Sequence, residues 1–98
     1  MSDNTFVLGR VAVSKAGRDK GRAFLIIGIV DEDHVHLADG EMHKLSRPKK
    51  KKLKHIKIED AAAESVKEKL AAGTKVFDAE VRRSLILLGY NKEEEQEG

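Results

Sequence analysis

The side chains of this 98-residue chain that could do chemistry are mostly cations, and they fall in two groups. Lys15, Arg18, Lys20 and Arg22 lie within residues 14–22, together with Gly17 and Gly21. Glycine tolerates positive φ and close backbone approach, so this stretch reads as a tight link between the apolar runs on either side. Four basic side chains cannot all be buried in one turn, so the turn presents cations. The second group is the run Lys49, Lys50, Lys51 and Lys52, extended by Arg47, Lys54 and Lys57 and flanked by Lys44 and His55. Like charges at this density repel. Phosphates relieve that repulsion, and the counterions they displace add entropy. The chemistry expected of both groups is polyanion binding.

Other chemistries fit less well. Gly17 and Gly21 do not make a nucleotide phosphate cradle, because the Gly-Lys-Ser/Thr ending is missing and an apolar strand follows, not a helix. His34 and His36 share one face of a short strand, with His43 on the return. No capturing carboxylate or third ligand can be placed beside them, so they read as surface histidines and no metal is expected. Ser14, Ser46 and the histidines show no nucleophile and base arrangement, and the carboxylates sit in turns, helices and the last residues. Phe6, Phe24, Phe77 and Tyr90 are too scattered to line a groove for proline-rich peptides. The expectation is a binding protein with no catalytic residues, no cofactor and no small-molecule substrate.

Composition bounds the partner. Apolar residues make up 40% of the chain, enough for one modest core. No apolar stretch approaches a membrane span, no secretory pattern is visible, and cysteine is absent, so a cytoplasmic protein is expected. The net charge of +2 hides an asymmetry. Residues 1–58 hold 13 Lys/Arg and 7 Asp/Glu, whereas residues 59–98 hold 6 and 10. A basic first part and an acidic second part place a polyanion-binding face on the first part alone.

The elements that must position these cations can be read from periodicity. Residues 7–13 alternate, with Val7, Gly9, Val11 and Val13 on one face, which predicts a half-buried strand. Residues 23–30 are almost continuously apolar, so that strand is covered on both faces, with Gly28 as a bend or bulge. Asp31, Glu32 and Asp33 make a turn before a third strand, with Val35 and Leu37 inward. Asp39 and Gly40 signal a two-residue hairpin, which predicts a returning strand over 41–46 and leaves 47–52 as exposed loop. Leu53, Ile56 and Ile58 allow a last short strand. The fold predicted is mainly β, a small five-stranded, strongly bent sheet or barrel over residues 1–58.

Residues 59–90 change character. Asp60 is the expected cap of a helix carrying Ala63, Val66 and Leu70 and stopped by Gly73. Asp78 is the expected cap of a second, with Val81, Leu85 and Leu88 on a stripe widened by Ile86 and Leu87 and ended by Gly89. Both are too short to stand alone and should pack on the doubly apolar second strand. Residues 91–98, with Glu93, Glu94, Glu95 and Glu97, are expected to be disordered.

Taken together, the runs 9–13, 17–21 and 35–40 resemble the KOW motif. Within the KOW proteins the chain looks most like the archaeal and eukaryotic large-subunit ribosomal protein family fourteen-e and its short bacterial RNA-binding relatives. Those families run similarly from a Gly-Arg-Val strand through a Gly-Arg-x-x-Gly turn to a Val-Asp-Gly hairpin. A basic segment then follows, here ending in Leu53, Lys54, His55 and Ile56. The resemblance covers residues 7–58. It departs at Phe24, where many KOW sequences carry a third glycine, and in the tight lysine run. It implies an SH3-like barrel that binds structured RNA, usually ribosomal RNA, with Arg18 and Lys20 as contacts. An alternative is a protein adaptor in transcription or translation that docks a partner through the barrel or the two helices.

Overall fold

The computed structural model describes residues 7–91. Five strands precede two helices: β1 (Arg10–Ser14), β2 (Ala23–Ile29), β3 (His34–Ala38), β4 (Lys49–Lys52), β5 (Ile56–Ala62), α1 (Glu64–Ala72) and α2 (Asp78–Leu87). All pairings are antiparallel, in the order β4-β3-β2-β1-β5. A single 3₁₀ turn, Leu53–His55, joins the two outermost strands. Four flat inter-strand gaps would separate β4 from β5 by about 19 Å, whereas three 3₁₀ residues rise only about 6 Å. The sheet therefore curls until its edges approach. This is the SH3-like arrangement expected, left open because no ladder joins β4 to β5 among the described residues.

The run over β2 explains how the layers assemble. Phe24 and Ile26 point into the curled sheet with Val7, Ala12, Val35, Leu37 and Ile56. Ala23 and Leu25 point outward to Val66 of α1 and Val81 and Leu85 of α2, together with Val11 and Ala63. A strand buried on both faces needs a near-continuous apolar sequence, and the helices supply the outer cover. Each fully buried side chain of this size contributes about 2 kcal/mol. Phe24, at the position where the resemblance has glycine, is fully buried. The pairing of β2 with β3 shifts between Ile26 and Gly28, where a bulge was expected.

Several local expectations are corrected. The first strand starts at Arg10, since residues 8 and 9 form a turn, and Val7 belongs to the inner core while Val11 faces the helices. Asp39 and Gly40 do not form a two-residue hairpin, and residues 41–46 form no strand. Instead the side chain of Asp39, fully buried, accepts hydrogen bonds from the backbone N–H groups of Glu41 and His43, both at 2.9 Å. It thereby ties up a long loop that β4 follows. Gly40 abuts the first turn of α2 so closely that a Cβ there would overlap the Asp78 carbonyl oxygen. Residues 49–52 are strand, not loop.

The helix starts also differ. β5 runs through Asp60 to Ala62, so the sheet extends past residue 58 and α1 begins at Glu64. Asp60 pairs with Arg10 at 3.3 Å and does not cap the helix. Asp78 is the first residue of α2, and its carboxylate accepts the Leu45 N–H at 2.7 Å, pinning the 39–48 loop to the helix. Leu87 is 77% exposed, so it lies off the buried Val81 and Leu85 stripe. Gly73 closes α1 in the left-handed conformation, as expected. Asn91 is the only described residue of the predicted disordered segment; the remainder lies outside the described residues. No described helix is long and apolar enough to cross a membrane.

Candidate nucleic-acid interface

The link between β1 and β2 is held by its own backbone. Gly21 N–H donates to Ser14 O at 2.9 Å, Ser14 N–H to Arg22 O at 3.0 Å, and Arg22 N–H to Asp19 O at 2.8 Å. Gly17 and Gly21 both sit near φ +85° (83 and 89). Other L residues rarely adopt that region, and it is this conformation, with no neighbour within 4 Å of a Cβ at Gly21, that calls for glycine there. Lys15, Arg18 and Lys20 project from the turn and are exposed.

Strand β4 sorts the lysine run into two sets. Its side chains alternate across the sheet, as in any strand. Lys49 lies opposite Leu37 and Lys51 opposite Val35, on the core side. Lys50 lies opposite His36 and Lys52 opposite His34, on the outer side. The core-side pair is half-buried and the outer pair exposed. Lys49 and Lys51 bury their stems at the rim while their ammonium groups reach the β1–β2 turn. Lys51 Nζ donates to Ala16 O at 3.3 Å, and Lys49 Nζ lies 3.4 Å from Asp19 Oδ2. Lys15 N–H donates to His55 O at 2.8 Å, so the turn also touches the 3₁₀ segment. The two cationic groups read from the sequence therefore meet at one rim.

Asp19 serves this rim with its side chain. Its Oδ2 also lies 3.4 Å from His43 Nε2, and the His43 ring packs against Phe24 with centroids 5.6 Å apart. His43 is thus turned to the β1–β2 turn. Among the described residues no group of three or more His, Cys, Asp or Glu is arranged to hold a metal.

Arg22 is engaged elsewhere. It donates to Asp39 at 2.7 Å and to Glu41 at 2.9 Å. Burial alone would push the Asp39 carboxyl up, but the His43 and Glu41 amides and then Arg22 outweigh it and hold it below the usual range. Burial likewise opposes the charge of Arg22, and the two carboxylates more than compensate. Lys44 and Arg47 lie exposed on the 39–48 loop, joined by an Arg47 N–H to Lys44 O bond at 2.9 Å. Lys54 is exposed and His55 half-buried on the 3₁₀ turn.

Of the predicted binding residues, Lys15, Arg18, Lys20, Lys44, Arg47, Lys50, Lys52 and Lys54 thus remain as exposed cations with no ion pair among the described residues. Sequence reasoning missed the partition of the lysines and the Asp39 anchor. The first was discoverable from strand parity, had residues 49–52 been read as strand. The second had no sequence signal beyond an Asp before Gly. A scan against protein-family models finds no match for this chain, and a search of curated proteins finds none either.

Proposed function

We propose that this is a non-catalytic RNA-binding protein of the KOW type, which binds structured RNA through its phosphates. The observation that carries this reading is the contact between the β1–β2 turn and β4. It gathers two basic segments, distant in sequence, at one rim and leaves a set of unpaired cations exposed around it. Phosphate contacts fix position without reading bases, and few aromatic side chains are available for stacking on single strands. Shape and backbone recognition therefore dominate, and base specificity is low. Ribosomal RNA in the cytoplasm is the target that the resemblance favours. Sedimentation of the native protein with ribosomal subunits tests this, with loss of cosedimentation expected after ribonuclease treatment.

A second reading is a protein adaptor. It is favoured by Phe77 (57% exposed) and Leu87, which border a shallow groove of about 410 Å³ on α2. Partners recovered in a pull-down that resist ribonuclease would support the adaptor over the RNA reading.

A further inference from the structure

An open cleft of about 580 Å³ lies where β3 meets the 3₁₀ turn, lined by Asp33, His34, Lys52, Leu53 and Lys54. Its walls are tied together by the Leu53 N–H bond to Asp33 O at 2.8 Å. His34 and Lys52 are direct cross-strand partners on the outer face of the sheet. Lys54 follows from the 3₁₀ turn, exposed like Lys52. The cleft is thus on the side of β4 where the lysines are not consumed by the β1–β2 turn.

His34 decides the charge of this cleft. Its Nδ1 lies 2.9 Å from Asp31 Oδ1. The hydrogen bond from His34 is the main reason that the Asp31 carboxyl lies below its usual range, with the Asp33 amide adding to it. Against an ionised carboxylate Nδ1 keeps its hydrogen, so Nε2 is the nitrogen that gains the titrating proton. The groups facing His34 are Asp31 and Asp33 from the β2–β3 turn, Lys52 from β4 and Lys54 from the 3₁₀ turn. Two lysines against two aspartates leave the charge near zero while His34 is neutral. One proton on Nε2 makes it positive and adds a donor.

We infer that this cleft is a phosphodiester subsite that fills when His34 is protonated, with Lys52 and Lys54 flanking the phosphate and His34 Nε2–H donating to it. This rests on the RNA-binding reading and adds a pH dependence to it. A bound phosphate favours the proton on His34, so binding takes up a proton.

The test is RNA affinity between about pH 5.5 and 8, combined with an NMR titration of the His34 ring with and without an RNA hairpin. If the hairpin raises the His34 pKa by about one unit, affinity rises about tenfold from the top to the bottom of that range. His34→Gln flattens the profile, and His36→Gln leaves it as it is. An unmoved His34 titration at saturating RNA, or a profile that persists in His34→Gln, overturns the subsite. Inorganic phosphate alone shifting His34 as far as the hairpin does would assign the cleft to free phosphate and overturn it too. Absence of RNA binding by the wild-type chain at every pH would instead overturn the RNA reading on which the subsite depends.

Discussion

The two faces of β4 carry the same residue and do different work. On the core side, Lys49 and Lys51 are directed to Asp19 and the Ala16 carbonyl, bracing the β1–β2 turn against the edge of the sheet. On the outer side, Lys50 and Lys52 stand beside His36 and His34 with no carboxylate within ion-pair distance among the described residues. Identical side chains, alternating along one strand, thus divide into a structural pair and a pair free to meet a ligand. Charged side chains also guard an exposed strand edge against pairing with another chain, so the run serves a negative purpose as well. A count of lysines overstates the charge available to a polyanion. The pairing of each lysine is what matters.

The division between the two faces depends on how β4 is delivered to the edge, so the largest effect is expected at the anchor of the preceding loop. Asp39→Ala removes the acceptor of two backbone amides and leaves Arg22 without its buried partner. A loss of about 3 kcal/mol is expected in denaturant unfolding. Melting within a degree of wild type would show that the loop does not set the position of β4. The same carboxylate gives a pH signature. Its folded pKa is depressed, so its stabilisation is complete above the unfolded value and lost as pH falls through the folded one. Wild-type stability should fall below about pH 4, and Asp39→Asn should lose much of that dependence.

Changing the outer set, Lys50, Lys52 and Lys54, to serine should cost at least about tenfold in RNA affinity at moderate salt. Stability should stay within about 0.5 kcal/mol of wild type. Gly17→Ala places a Cβ at φ 83 and should cost about 1 kcal/mol in thermal melting, loosening the turn that Lys49 and Lys51 brace. Lys49→Ser with Lys51→Ser should be the mildest, about 0.5 kcal/mol in stability, because both contacts are partly screened by solvent. If this pair melts like wild type but binds RNA as poorly as the outer triple variant, the division between the faces is wrong.

Much of the fold was legible because it followed from strong patterns. The continuous apolar run of β2 announced a strand covered twice, and the structure places the curled sheet on one side and both helices on the other. Gly28, Gly73 and the inward Val35 and Leu37 were likewise local signals with one reading. What failed was long-range. Four consecutive lysines have no hydrophobic period, so nothing local marked them as a strand, and only pairing with β3 makes them one. Asp60 and Asp78 are good capping residues by type, yet Asp60 lies inside β5, at the irregularity between its Ala12–Ile58 and Arg10–Ala62 pairs with β1, and Asp78 accepts the Leu45 amide. Arg22 looked like part of the cationic turn because Asp39, its partner, is distant in sequence. The cationic segments of the candidate interface were visible, but the pairing that sorts them was not.

The most direct test of the central claim is the salt dependence of binding to a structured ribosomal RNA fragment, measured for wild type and the two lysine variants together. For about six neutralised phosphates, log affinity against log salt should fall with a slope of about −4 to −5 in the wild-type chain. The outer triple variant should lose about 2 to 3 from that slope, and Lys49→Ser with Lys51→Ser less than about 1. A wild-type slope near zero, or equal losses from the two variants, would contradict the account.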